Sequence, residues 1–294
     1  VGAQLRSSWF TTIDYAIAQT AHDTVSLMIT APATFAASAV VGANVRLVFE
    51  SPGNILTVPI TFTLSNIDQV TAGKFQCFGG AGDFSFVNGP ELRASWFDHL
   101  RSAVVYIGTD TVTLVNDLPE TLFANLVIPT TTTFKVDRGA IINLDADNLT
   151  IDGPVDVGPD VFAINGAGNL TINGPLNANG SAFVISSTGN VYINHLANLI
   201  GKVFVDTGAG SAIFGTDSVE SILPQWWGVK ADGTTDNVTA FSQVVASANA
   251  SAALHPNGIT IHFGDGTYYF ATQNDAFTKS GICIKGSSTG GTVI

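Results

Sequence analysis

The chain has 294 residues, of which 46% are hydrophobic and only 12% charged; 11 Lys and Arg stand against 23 Asp and Glu, a net charge of −12. A folded domain usually carries roughly 25% charged residues, so something else must cover this surface. No apolar run reaches the roughly 18 residues of a membrane-spanning helix, and no basic stripe is present to displace the counterions of a phosphate backbone. Membrane insertion and nucleic-acid binding are therefore not expected, and a β-rich protein with a Thr, Ser and Asn skin is.

The elements repeat at two periods, and repeats govern the reading of such a chain. The longer period divides it into modules spanning 1–95, 96–225 and 226–294. Trp9-Phe10 opens the first, and Ile13, Ala16 and Ile17 follow at helical spacing before a strand from Val25 to Ile29. Trp96-Phe97 opens the second, 87 residues on from Trp9. Leu100, Ala103, Val104 and Ile107 then predict a short helix, and Val112 to Val115 a strand. Pro32 and Pro119 keep the same offset, and Gly53-Asn54-Ile55-Leu56 matches Gly139-Ala140-Ile141-Ile142.

Inside the second module a 21-residue period appears. Asn148-Leu149-Thr150-Ile151-Asp152-Gly153 recurs as Asn169-Leu170-Thr171-Ile172-Asn173-Gly174 and as Asn190-Val191-Tyr192-Ile193-Asn194. Phe162, Phe183 and Phe204 keep that spacing, as do Gly168, Gly189 and Gly210. Side chains alternate along a strand, so Leu149, Leu170 and Val191 are predicted to form one inward column, with Ile151, Ile172 and Ile193 beside it. Thr150, Thr171 and Tyr192 then face outward. The recurring glycines are expected at turns that need positive φ.

Trp226-Trp227 opens the third module. Val238, Phe241, Val244, Val245 and Ala248 mark a helix face, with Thr235 or Asp236 as its N-cap. A strand from Ile259 to Phe263 follows, and Gly266-Thr267-Tyr268 aligns with Ala33-Thr34-Phe35 and Glu120-Thr121-Leu122. Thr292-Val293-Ile294 reads as a strand with no closing turn, so a further coil or a second chain is expected against that edge. The two cysteines, Cys77 and Cys283, lie in apolar strand contexts and are expected to be buried free thiols.

Pro224-Gln225-Trp226-Trp227-Gly228-Val229-Lys230-Ala231-Asp232-Gly233-Thr234-Thr235-Asp236-Asn237, followed by Gly264-Asp265-Gly266-Thr267-Tyr268, resembles the opening of pectate-lyase-like domains. The match covers 224–294 well and the upstream modules loosely. It departs at Ala231, where Gly is usual, and at Asn237, where Asp is usual. The resemblance implies an all-β fold, a right-handed parallel β-helix (solenoid) with short helices at the module starts. It also implies a setting among phage tail appendages or secreted polysaccharide-active proteins. The Gly-Asp-Asp, Gly-His-Gly and Arg-Ile-Lys signatures of polygalacturonase-like relatives are absent, so no catalytic residue is assigned.

Other candidate sites have simpler readings. Asp232 and Asp236 are spaced for paired acid–base work but fit a turn and a helix cap better. Asp145, Asp147, Asp152, Asp156 and Asp160 offer oxygen ligands without EF-hand spacing, and read as solvated turns. Gly79-Gly80-Ala81-Gly82-Asp83 is half of a calcium nonapeptide and occurs once. Gly166-Ala167-Gly168 and Gly208-Ala209-Gly210 are coil turns, since no Lys-Ser/Thr follows to make a phosphate loop. His22, His99, His195, His255 and His262 have no metal spacing, so no metal or cofactor is expected. Asn148, Asn169 and Asn179 sit in Asn-x-Ser/Thr sequons. Trp226 and Trp227 are the candidate carbohydrate-binding residues, their alternative being to pack the start of the module. The expected protein is a structural and receptor-binding segment of a virion tail appendage, or another extracellular protein. Its expected partner is polysaccharide, and it is expected to be a homotrimer. A secreted lyase or glycosidase and a self-assembling filament are the alternatives.

Overall fold

A computed structural model describes residues 3–20, 24–58, 61–65, 69–87, 91–159, 161–272, 277–287 and 292–293. The chain forms stacked parallel sheets, with few helices, in two compact units: Val1–Glu120 with Pro129–Lys135, and Thr121–Ile128 with Val136–Ile294. The unit boundary falls inside the second sequence module.

In the first unit each coil contributes short strands to three sheets. Val25–Ile29 lies between Ala3–Arg6 and Val45–Phe49, with Val70–Thr71 beyond; Leu56–Thr57 lies between Ala33–Thr34 and Phe78–Gly79; Thr61–Leu64 lies between Ala39–Val41 and Asp83–Phe86. A further sheet starts with Glu91–Arg93 beside Val112–Asn116. The interior is aromatic: Phe78 meets Phe49, Phe62, Phe84 and Phe97 at centroid distances of 5.5 to 5.9 Å. Helix α1 (Ile13–Gln19) starts where the Thr12 hydroxyl accepts the Tyr15 N–H, and α2 (Leu100–Ile107) where His99 Nδ1 accepts the Ser102 N–H. Ile13, Ala16 and Ile17 are buried as expected; in α2, Leu100, Ala103 and Ile107 are buried while Val104 is half-buried. Trp9 is 64% exposed, unlike its repeats Trp96 and Trp226, at 5% each.

In the second unit the 21-residue register is explicit. Leu149 pairs with Leu170 and Leu170 with Val191; Ile151, Ile172 and Ile193 follow alongside, and all six are fully buried. Thr150, Thr171 and Tyr192 face out, half-exposed. Phe162, Phe183 and Phe204 stack in file, with centroids 5.6 and 5.4 Å apart, and Trp227 continues the file 4.8 Å beyond Phe204. Such offset aromatic stacking adds to the burial of area that already favours the column.

The repeat glycines have a different role from the expected one. Gly168, Gly189 and Gly210 do not adopt positive φ. A Cβ on each would lie 2.3, 2.0 and 1.9 Å from the carbonyl oxygens of Asp147, Gly168 and Gly189 in the preceding coil. Glycine is required there by the closeness of stacked backbones rather than by the local dihedral.

Helix α3 (Val238–Ala252) buries Phe241, Val244, Val245 and Ala248, and leaves Val238 half-exposed. Its N-cap is Asn237, whose side chain is turned to Lys230, accepting its N–H and donating to its carbonyl, each at 2.8 Å. Asp236 instead accepts the Val238 N–H at 3.1 Å. The helix closes the ends of two sheets. Ser251 Oγ accepts the Phe214 N–H at 3.0 Å, Ser247 donates to the Ala212 carbonyl, and Gln243 donates to the Asp206 carbonyl. A strand edge left open would present these groups unpaired. Beyond α3, Ile259–His262 lies between Ser221–Ile222 and Ile282–Lys285, and Gly266–Tyr269 lies between Asp232–Asp236 and Thr292–Val293. Ile294 lies outside the described residues. Cys77 is buried, as expected, but Cys283 is exposed, because its strand is the outer one of its sheet among the described residues.

Candidate functional surface

The second unit carries three ladders of amide side chains, each built by the 21-residue register. One is internal to the turns: Asn148 Oδ1 accepts the Asn169 N–H, Asn169 Oδ1 the Asn190 N–H, and Asn190 Oδ1 the Ser211 N–H, at 2.8 to 2.9 Å. These asparagines satisfy turn backbone that has no strand partner, so the sequon amides of Asn148 and Asn169 are engaged in the fold; Asn179 is exposed.

The other two ladders face solvent. In the corner after Ile151 and its repeats, Asn173 Nδ2 donates to Asp152 Oδ1 at 2.7 Å, and Asn194 Nδ2 to Asn173 Oδ1 at 2.9 Å. Four positions along, on the outer face of strands Val155–Val157, Leu176–Asn179 and Ala197–Ile200, Asn177 Nδ2 donates to Asp156 Oδ1 at 3.2 Å and Asn198 Nδ2 to Asn177 Oδ1 at 3.0 Å. A primary amide has two N–H donors and two acceptor lone pairs. Each ladder bond uses one of each, so every exposed rung keeps hydrogen-bonding capacity toward solvent. The result is a regular surface of alternating donors and acceptors, with the exposed side chains of Leu196 and Ile200 beside its last rung.

The two aromatic candidates are placed elsewhere. Trp226 is 5% exposed and Trp227 2%. Trp227 stacks on Phe204, and Trp226 packs 5.7 Å from Phe214 and donates its indole N–H to the Leu199 carbonyl at 3.2 Å. Both rings are occupied in packing, and a sugar stacked on them would have to displace phenylalanine.

The acidic candidates are structural. Asp232 Oδ1 accepts the N–H groups of Thr234 and Thr235 at 2.9 and 2.7 Å, and Oδ2 the Thr235 hydroxyl at 2.6 Å. These bonds, the Thr235 hydroxyl's first, hold its carboxyl well below the usual carboxylate range. Asp236 Oδ1 accepts from Val238 and Ala271. The Asp232 carboxylate is therefore not poised to exchange a proton near neutral pH. Asp152 and Asp156 begin the exposed ladders; Asp160 and His22 lie outside the described residues. Among the described residues no three His, Cys, Asp or Glu side chains gather as a metal site. His99 caps α2, His195 Nδ1 accepts the Leu196 N–H, and His255 Nδ1 lies 2.9 Å from the Ser251 carbonyl.

One carboxyl group escaped notice in the sequence. Asp206 occupies the inward column of Ile164 and Ile185 and is 4% exposed. Burial pushes its carboxyl up to about 6, against a single long bond from the Gly208 N–H at 3.3 Å. The signal available was the break in the Phe-x-Ile pattern at Phe204-Val205-Asp206.

No family model, curated protein or solved structure matches the chain. No helix among the described residues is long and apolar enough to cross a membrane.

Proposed function

We propose that the chain is part of a right-handed, pectate-lyase-like parallel β-helix protein, displayed on a virion tail appendage or another extracellular surface, which engages polysaccharide and assembles as a homotrimer. The observation that carries this reading is the paired exposed ladder of Asp152, Asn173 and Asn194 with Asp156, Asn177 and Asn198. Its rungs repeat along the stack at the strand spacing of about 4.8 Å, so a glycan chain lying across them meets a carboxylate and then two amides at equal steps. A carbohydrate surface of this kind needs donors and acceptors fixed in place before binding, because immobilising long side chains would otherwise offset the gain.

Co-sedimentation of the chain with a panel of insoluble bacterial surface polysaccharides tests the reading. Retention is expected on at least one polysaccharide, and loss of retention is expected when Asn177 and Asn198 are both changed to Leu. Retention unchanged in that variant would remove the ladder as the binding surface. Light scattering tests the trimer, and a monomer mass at high concentration would refute it. Release of reducing ends or unsaturated sugars from the retained polysaccharide would show an enzyme instead.

A further inference from the structure

In the second unit, strand Phe204–Asp206 is the last of one sheet and Ala212–Phe214 the last of another. Helix α3, rather than a further coil, closes both. Gln243 donates to the Asp206 carbonyl, Ser247 donates to the Ala212 carbonyl, and Ser251 Oγ accepts the Phe214 N–H at 3.0 Å. The helix also packs on the turn Pro224–Trp227. Side-chain bonds therefore do here what the backbone ladder does everywhere below.

At this joint Asp206 takes the place of an isoleucine. Its side chain continues the inward column of Ile164 and Ile185 and is 4% exposed, with the Gly208 N–H bonded to Oδ1 at 3.3 Å. A buried carboxylate needs a cation or several good hydrogen bonds. Strands Phe183–Ile185 and Ala212–Phe214, the turn Pro224–Trp227 and α3 itself contain no ionisable side chain. The other strands packed on α3 bring His262, half-exposed, and Lys285, exposed. His255 follows the helix, with Nδ1 2.9 Å from the Ser251 carbonyl. Among the described residues none of these pairs with Asp206.

The two protonation states of Asp206 therefore suit two arrangements. A neutral carboxyl is tolerated in the apolar column, whereas a carboxylate favours any arrangement that gives it water. The coil below cannot supply that water cheaply, because parting it breaks the strand pairing of Phe183–Ile185 with Phe204–Asp206. Lifting α3 can, because Gln243 is bonded to the backbone of Asp206 itself and only side-chain bonds tie the helix to these two sheet ends.

We propose that α3 is an acid-tightened latch on the end of the coil stack, seated when Asp206 is protonated and lifted more often from Phe204–Asp206 and Ala212–Phe214 once Asp206 ionises. Lifting bares two open strand ends, whose unpaired backbone groups can take up another strand. The latch is independent of what the exposed amide ladders bind.

Hydrogen exchange of the whole chain, corrected for the intrinsic pH dependence of exchange, tests the latch. The Phe214 amide reports lifting, since its acceptor is the α3 side chain Ser251. The Leu149 amide, bonded to the Asn169 carbonyl between two coils, is the reference. Seated, the Asp206 carboxyl is pushed up to about 6; lifted, it returns toward 3.8. Opening is therefore rarest below pH 3.8 and grows until pH passes 6, rising about tenfold between about pH 5 and about pH 7.5. Protection at Phe214 is expected to fall by that factor while Leu149 changes little. Asp206→Asn is expected to abolish the fall, and so is Asp206→Ile, which completes the isoleucine column and serves if the first variant folds poorly. A fall shared equally by Leu149 would overturn the latch, since Asp206 would then act on the whole fold. So would a wild-type Phe214 amide that shows no fall, or a fall that persists in the variants.

Discussion

Changing Gly189 to Ala tests the claim that the turn glycines answer to the neighbouring coil. The new methyl would sit 2.0 Å from the Gly168 carbonyl oxygen and 2.6 Å from Ile164 Cγ2. The first obstacle is backbone, so no rotamer change removes it, and the coils must separate locally. Separation strains the Gly189 N–H bond to the Gly166 carbonyl at 3.0 Å and the adjacent Asn190 N–H bond to Asn169 Oδ1 at 2.8 Å. Overpacking in a dense interior and one weakened buried hydrogen bond together give about 2–4 kcal/mol. Gly201 is the control: its φ is +75°, and a Cβ there meets nothing within 4 Å. Gly201→Ala has only the left-handed backbone penalty of about 1–2 kcal/mol, partly offset by a stiffer unfolded chain. Urea denaturation followed by circular dichroism, with hydrogen exchange resolving the affected coils, measures both. A Gly189→Ala variant no less stable than Gly201→Ala would refute the stacking argument.

Leu170→Asp is expected to unfold its coil, since an unpaired charge in that column costs several kcal/mol, whereas Thr171→Asp on the outer face is expected to be tolerated; near-ultraviolet dichroism and exchange protection distinguish them. Asp206 sets a pH dependence. Its folded carboxyl, at about 6, lies above the ordinary value of 3.8, so its protonated form favours the fold below pH 3.8, and that contribution is lost as pH rises through 6. Asp206→Asn is therefore expected to raise stability at pH 7 by about 1–2 kcal/mol, allowing for partial solvent screening, and to leave it little changed at acid pH; urea midpoints at both pH values check this. Burial, reinforced by the charge of Asp117, holds the Cys77 thiol far above its usual range, so a thiol reagent is expected to modify Cys283 in the native chain and Cys77 only after denaturation.

Much of the second unit is legible in the sequence because its period is short and strict. Leu149, Leu170 and Val191 could be placed in one column from spacing and alternation alone, since strand side chains have only two faces. The helix faces follow for a similar reason. What escaped depends on groups far away in sequence. The constraint on Gly189 comes from the Gly168 carbonyl beneath it, and no local propensity reports that distance. Ser247 and Ser251 look like polar interruptions of an apolar face until Ala212–Phe214 is seen to need partners. Trp96 and Trp226 each open a module, yet Trp226 donates its indole N–H to the Leu199 carbonyl while that of Trp96 has no acceptor among the described residues. The tryptophans proposed for sugar stacking lie buried, whereas the exposed asparagines read in the sequence as ordinary turn and strand residues.

The strict pairing of Leu149 with Leu170 and of Leu170 with Val191 makes the length of this region a counted quantity. Excising residues 169–189 would join Asn148's coil to Asn190's with every column, ladder and aromatic file in phase, and shorten the stack by one step of about 4.8 Å. Neighbouring coils of other lengths, 20 residues from Ile142 to Phe162 and 23 from Leu126 to Leu149, keep the same columns inward, so the odd residues are taken up in the turns. A whole-coil excision needs no such adjustment, and would move whatever lies beyond it by a fixed increment while the ladders on either side keep their pattern.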